Sequence, residues 1–236
     1  MRINKFLCAT GLCSRRAADE YVSKGEVLIN GRLAVLGDKV SKGDSVTLKG
    51  EKVSLLDIDD VIVIAFNKPK GIVCTASEKV DNNIVQFINH SSRIYPVGRL
   101  DKESEGLIFL TNKSSLVDSI NQSGNRHEKE YRVMVNKKVT EEFLEGMRHG
   151  VPILEQTTHA CSVFFESDYI FRIILTQGLN RQIRRMCSYF GFRVEKLQRI
   201  RIMHVHINDL APGEWRDLSK DELSSLLNLT TESSAT

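Results

Sequence analysis

The sequence predicts an α+β protein in two parts: a small N-terminal module of helices and a hairpin sheet, then a larger domain whose largely antiparallel mixed β-sheet is flanked by helices. Three observations carry that expectation. Helical spacing and a hairpin signal crowd into the first 50 residues, apolar strand segments interleave with amphipathic helical ones from residue 61 onward, and a polar, acidic stretch lies between. The expected division is a module at 1–49, a linker at 50–60, the larger domain at 61–230 and a frayed tail at 231–236.

In the module, Ile3, Phe6 and Leu7 have helical spacing, which Gly11 breaks. Ser14 can cap a second helix carrying Ala17, Ala18, Tyr21 and Val22 on one side, with Gly25 ending it. Strands at 27–29 and 33–35 flank Asn30-Gly31, a strong two-residue hairpin signal, and Lys42-Gly43-Asp44 turns the chain into a strand at 45–48. Arg15 and Arg16 stand in the first turn of their helix, where the dipole disfavours positive charge and the free N–H groups already face any anion. An external phosphate would account for that placement. With Arg2-Ile3-Asn4-Lys5, Ser14-Arg15-Arg16-Ala17-Ala18-Asp19 and Val27-Leu28-Ile29-Asn30-Gly31, residues 2–48 resemble the S4 RNA-binding domain. The resemblance implies RNA as partner, with Arg2, Lys5, Arg15 and Arg16 as contacts, and by itself implies no reaction.

In the larger domain the expected order is a strand at 61–66, a helix at 82–89, a strand at 107–110 and a helix bearing Leu116, Val117 and Ile120. A strand follows at 131–135, then a helix capped by Thr140 with Phe143, Leu144 and Met147 inward. Strands at 171–175 and 194–205 surround a helix at 181–190, for which Asn180 is the candidate cap. Ser219-Lys220-Asp221-Glu222 reads as a capping box opening a last helix with Leu223, Leu226 and Leu227.

Composition narrows the function. A chain of 236 residues, 41% hydrophobic and 27% charged, suffices for a full core and a small second domain. No apolar run approaches the roughly 20 residues that span a bilayer, and Met1-Arg2-Ile3-Asn4-Lys5 lacks a signal peptide's apolar stretch, so a cytoplasmic, membrane-free protein is expected. Cys8, Cys13, Cys74, Cys161 and Cys187 are odd in number and form no C-x-x-C pair, which reads as reduced, mostly buried thiols. The net charge of +3 is unevenly spread. Residues 1–33 hold six basic against three acidic side chains and residues 172–201 hold eight against one, so the remainder is net acidic. Two basic segments point to two surfaces for a polyanion, the alternative being solvated charge without a partner.

The densest chemical signal is Gly98-Arg99-Leu100-Asp101-Lys102-Glu103-Ser104-Glu105-Gly106, running into the apolar segment 107–110. A glycine-bracketed loop beside a buried strand suits a catalytic group, though an aspartate in such a loop is as readily a turn or cap residue. In the late helix Ile183, Met186, Cys187 and Phe190 form one stripe, while Arg181, Arg184 and Arg185 form another at i, i+3, i+4. Either RNA or bulk water can face those arginines. His204 and His206 alternate on an expected strand without a cysteine or carboxylate at ligand spacing, so no metal is expected. No Walker or dinucleotide fingerprint occurs, so no cofactor is expected either.

Asn67-Lys68-Pro69-Lys70-Gly71, Gly98-Arg99-Leu100-Asp101 with Glu105-Gly106-Leu107, and Gln182-Ile183-Arg184 resemble the three motifs of the pseudouridine synthases. The likeness covers nearly the whole chain and is to the subfamily that carries an S4 domain and modifies bacterial ribosomal RNA. Asn89-His90 with Arg93, Glu128-Lys129-Glu130-Tyr131 and the run 178–187 are similar to a type acting on 23S ribosomal RNA and also on tyrosine tRNA. The resemblance implies Asp101 as catalytic carboxylate, Arg184 as its partner, Tyr131 stacking on uracil and taking the C5 proton, and Leu197 packing against the base. It also suits Lys68, Arg99, Arg181 and Arg185 to RNA phosphates. Without it, a core role stays open as the alternative for Tyr131, which shares a strand face with Val133 and Val135, and stands level for Leu197. Two functions remain in view, an RNA-modifying enzyme acting as a monomer and a non-catalytic RNA-binding or ribosome-assembly factor. Retention of Asp101, Tyr131 and Arg184 favours the enzyme.

Overall fold

The computed structural model describes residues 1–77, 79–121 and 127–232. Its N-terminal module comprises α1 (Ile3–Ala9), α2 (Arg15–Ser23), β1 (Val27–Ile29), β2 (Arg32–Leu33), β3 (Val46–Leu48) and β4 (Glu51–Val53), the strands lying in the order β2-β1-β3-β4. Ser14 caps α2, its hydroxyl accepting from the Ala17 N–H at 3.1 Å. Asn30 and Gly31 have φ of 51° and 80°, as a two-residue hairpin turn between right-twisted strands requires. Ile3, Leu7, Ala18, Val22, Val27 and Val46 form the core of the module. The stretch expected as a linker is linker only in part. Glu51–Val53 pairs with β3, Val53 opposite Val46, and Ile58–Asp60 forms a short 3-10 turn.

The larger domain continues with β5 (Val63–Lys68), α3 (Ile84–Ile88), β6 (Tyr95–Val97), β7 (Glu105–Thr111), α4 (Ser114–Asn121), β8 (Lys129–Val135) and α5 (Glu141–Arg148). A two-strand ribbon follows, β9 (Pro152–Ile153) with β10 (Gln156–Thr157), then β11 (Ser162–Ser167), β12 (Ile170–Leu175), α6 (Gln182–Tyr189), β13 (Val194–Ile202), β14 (Val205–His206), β15 (Trp215–Asp217) and α7 (Lys220–Glu232). One mixed sheet runs β11-β12-β8-β13-β7-β5-β15, with β14 beside β13 and β6 beside β7. Its strand pairs are antiparallel apart from β7 with β13, where Glu105 lies opposite Gln198 and Gly106 opposite Arg199. Glycine is required at 106. With φ of 108°, a Cβ there would lie 2.3 Å from the Arg199 carbonyl oxygen.

At β5 and β7 both faces of the sheet are covered, which explains the unbroken apolar runs of these two strands. Val63, Ala65, Leu107 and Phe109 pack with Leu116 and Ile120 of α4 and Leu226 of α7. Ile64, Phe66, Ile108 and Leu110 pack the other way, against Ile84 and Ile88 of α3. A third cluster joins Val133, Val135, Phe171 and Ile173 to Phe143 and Met147 of α5 and Ile183 and Met186 of α6. Ser219 and Glu222 form the reciprocal capping box at α7, with the two bonds 2.8 and 3.2 Å long. That helix runs through residue 232, so the expected tail begins later than residue 231; residues 233–236 lie outside the described residues.

The module rests on the larger domain. Arg15 pairs with Asp118 of α4, and Arg93 donates to the Gly11 carbonyl at 3.4 Å. Arg15, expected as an RNA contact, thus has an acidic neighbour in the fold while about half of its side chain stays exposed. All five cysteines are free thiols, and all but the half-buried Cys161 are buried. Among the described residues no helix is long and apolar enough to cross a membrane, and no group of three or more His, Cys, Asp or Glu could hold a metal ion. His204 stands in the turn between β13 and β14 rather than on a strand, 3.0 Å from the Glu222 carbonyl oxygen.

Candidate active site

The loop carrying Asp101 is held from below by buried groups. Leu100 is buried, and its N–H donates to the Cys74 thiol at 3.3 Å. Ser104 N–H donates to the Asp101 carbonyl at 3.0 Å, and Gly71 N–H to the Lys102 carbonyl at 2.8 Å. Lys68, at the end of β5, has no exposed surface. Its ammonium donates to the carbonyls of Pro69, Ile72 and Lys102 at 2.8, 2.9 and 3.4 Å. Lys68 therefore cannot reach an RNA phosphate, contrary to expectation; it ties two loops together beneath the carboxylate. Burial lowers its pKa below the usual lysine value, while Cys74, Glu103, Asp101 and Glu105 oppose the shift.

Above this floor the Asp101 carboxylate is about one-third exposed and meets two guanidinium groups from α6 and its cap. Arg184 Nε lies 3.8 Å from Asp101 Oδ2 and Arg181 Nη1 lies 3.6 Å from it. Arg184 is further fixed by donating to Ser104 Oγ at 3.2 Å and the Val194 carbonyl at 3.3 Å. Burial and the neighbouring Arg181 lower its pKa, and Asp101 works against both. The cap of α6 is Arg181 and not Asn180. Arg181 adopts a left-handed conformation with φ of 51°, while Asn180 accepts two bonds from Arg185, at its carbonyl (3.0 Å) and its side-chain oxygen (3.2 Å). Of the three arginines, Arg181 and Arg184 face the carboxylate, the latter as the resemblance implied, while Arg185 has no acidic partner among the described residues.

Tyr131 and Leu197 come from neighbouring strands, β8 and β13, and line the same cavity of about 130 Å³ as Asp101, Arg99, Arg181 and Ile183. Leu197 is buried and Tyr131 half-buried. The sheet register explains the meeting: Leu197 pairs with Val133 and Arg199 with Tyr131, so alternate residues of both strands face one side. A register shift between Arg199 and Arg201 then turns Arg201 to Glu130 and Glu128, at 2.9 and 3.0 Å. Of the residues expected to touch RNA, Arg2, Lys5, Arg16, Arg99, Arg181 and Arg185 are exposed. Arg199 and Lys129 line the adjoining groove; Arg199 had no signal beyond general basicity, and Lys129 stood in a stretch carrying the resemblance without a role assigned to it.

An anion held between arginines, an apolar slot for a flat ring and a small basic module on the same chain define an enzyme that modifies RNA. Residues 62–189 match the RNA pseudouridylate synthase family and residues 1–46 the S4 domain, so the chain belongs to the pseudouridine synthases, which are isomerases. It is 52% identical over 235 residues to the dual-specificity RNA pseudouridine synthase RluF of Escherichia coli K12, covering 100% of this chain and 81% of that one. The RluF of Salmonella typhi is 53% identical over 234 residues, covering 99% and 81%. Ribosomal large subunit pseudouridine synthase B of Bacillus subtilis is 30% identical over 95% of each chain. A crystal structure of a pseudouridylate synthase superposes with a TM-score of 0.70 at 25% identity, covering 96% of this chain and 99% of the other.

Proposed function

We propose that the protein isomerises a specific uridine of 23S ribosomal RNA, and also one of tyrosine tRNA, with the target base flipped into the cavity beside Asp101. The dual specificity of its relatives of about 52% identity supports two RNA substrates. A ribosomal substrate makes the cytoplasm the site of action. The observation that carries the reading is the convergence of Asp101, Arg181, Tyr131 and Leu197 on one small pocket, with Arg184 beside the Asp101 carboxylate.

The reaction breaks the N1–C1′ bond, turns the freed uracil and joins C5 to C1′, after which the C5 proton leaves. A carboxylate at C1′ serves as nucleophile, as base or as stabiliser of positive charge, and each role needs the anion. Arg181 and Arg184 supply its counter-charge. Leu197 and Ile183 offer apolar wall against which a ring turns without making a new hydrogen bond at every angle. The Tyr131 ring gives a stacking face, and its phenol oxygen can take the C5 proton as the phenol's own proton passes on to water.

Asp101→Asn removes charge and nucleophilicity with little change in shape. Release of tritium from RNA labelled at uracil C5 should fall to background, with RNA affinity held within about three-fold. Appreciable turnover by a clean preparation excludes Asp101 as the catalytic carboxylate. Carbodiimide-dependent reverse-transcription stops in RNA treated with and without the protein then identify the uridine.

A further inference from the structure

Beside the base pocket, and sharing Arg99, Asp101, Tyr131 and Arg181 with it, lies a groove of about 980 Å³. Its charged lining is one-sided, with Arg99, Lys102, Lys129, Arg181 and Arg199 against Asp101 alone. Arg181 is balanced by Asp101, and Arg99 and Lys102 stand in solvent. Lys129 and Arg199 are different. Arg199 is 3% exposed; its Nε donates to the Leu107 carbonyl at 2.6 Å, and its Nη2 is buried without a hydrogen-bond partner. Lys129 Nζ has one long bond, 3.3 Å, to the His127 carbonyl. Among the described residues neither cation has an ion-pair partner, and burial together with Arg199 lowers the Lys129 pKa to about 8.

Two desolvated cations side by side repel one another, and an anion placed between them relieves that repulsion. The sheet sets their position. Arg199 pairs with Tyr131 across β8 and β13, and Lys129 lies two residues from Tyr131 along β8, roughly 7 Å at the strand repeat. That is within the reach of one nucleotide from a base held at Tyr131. We propose that Lys129 and Arg199 form a subsite for a phosphodiester of the RNA strand next to the flipped uridine. The proposal rests on the reading that the base enters the Asp101 pocket, and it adds the group that anchors the backbone there.

The test is a two-by-two cycle of binding constants. The protein is wild type or Lys129→Gln, and the ligand is a stem-loop RNA containing the mapped uridine, either native or with a neutral methylphosphonate at the linkage 5′ or 3′ to it. For wild type, one of the two neutral linkages should weaken binding about ten-fold, the scale of one charge-assisted hydrogen bond. Lys129→Gln should lose about as much on native RNA, lose nothing further on that neutral linkage, and show a salt slope shallower by about 0.7 to 0.9. Lys129→Arg should keep the native affinity. Losses that multiply at both linkages, or no wild-type loss at either, overturn the proposal; the second outcome needs no variant to fold. Activity in Asp101→Asn would remove the catalytic reading and leave this cycle's result standing, so the two failures are distinguishable.

Discussion

Arg181 shows what the site demands of single residues. A non-glycine residue in the left-handed region costs about 1–2 kcal/mol, and here the cost falls on the side chain that reaches Asp101 at 3.6 Å. Arg184 reaches the same oxygen from within the helix and is tied to Ser104 and Val194 besides. Arg184→Met should therefore slow single-turnover pseudouridine formation by about 100-fold or more, the scale of removing one preorganised electrostatic group. Full activity in that variant would leave Arg181 as the sufficient partner. Tyr131→Phe keeps the ring and loses the phenol. Tritium release should slow by at least about 100-fold while the N1–C1′ bond is still cleaved, and wild-type release would reduce Tyr131 to a packing role.

At the scale of elements, α7 gives a charge-dependent prediction. Arg216 beside Glu222, with help from the Ser219 N–H and hydroxyl, lowers the Glu222 pKa to about 2. A carboxylate depressed in the fold contributes stability that is complete above its unfolded pKa, near 4.5, and is lost as pH falls toward 2. Glu222→Gln should cost roughly 1–2 kcal/mol in urea unfolding at pH 7 once partial exposure is allowed for, with the gap narrowing steadily below about pH 4. A gap unchanged at pH 3 would assign the effect to geometry. The capping box was legible because its residue types and spacing are themselves the mechanism, as were the Ser14 cap and the Asn30-Gly31 hairpin. The strand β4 was not, because Glu51 and Lys52 are exposed and only Val53 turns toward the core. Lys68 was misplaced for a related reason. A lysine in a motif looks like a phosphate ligand, and only the fold shows three carbonyls closing around it. The Arg199 position depends on strand register and a bulge, which local pattern does not encode.

For the whole molecule, the proposed function assigns the two basic surfaces to different steps, recognition to the module and chemistry to the surroundings of α6. Arg15 already faces Asp118 in an exposed pair worth at most about 1 kcal/mol, whereas Arg16 is exposed, so of the two Arg16 is the one expected to meet a phosphate without first giving up an acidic neighbour. The double change Arg15→Ala, Arg16→Ala should make the slope of log K against log salt shallower by about 0.7 to 0.9, one phosphate's worth, with turnover at saturating RNA unchanged. A slope change twice as large would show that Asp118 releases Arg15 when RNA binds, and a fall in the saturating rate would show that the module helps to assemble the site. The parallel pairing of β7 with β13 has a consequence in time. Synthesis runs from the N-terminus, and the module closes its sheet once residue 53 is available, whereas Gly106 must wait for Arg199 before the strands can meet. Contacts so distant along the chain form late. The growing polypeptide thus acquires a means of holding RNA well before it acquires a means of changing it.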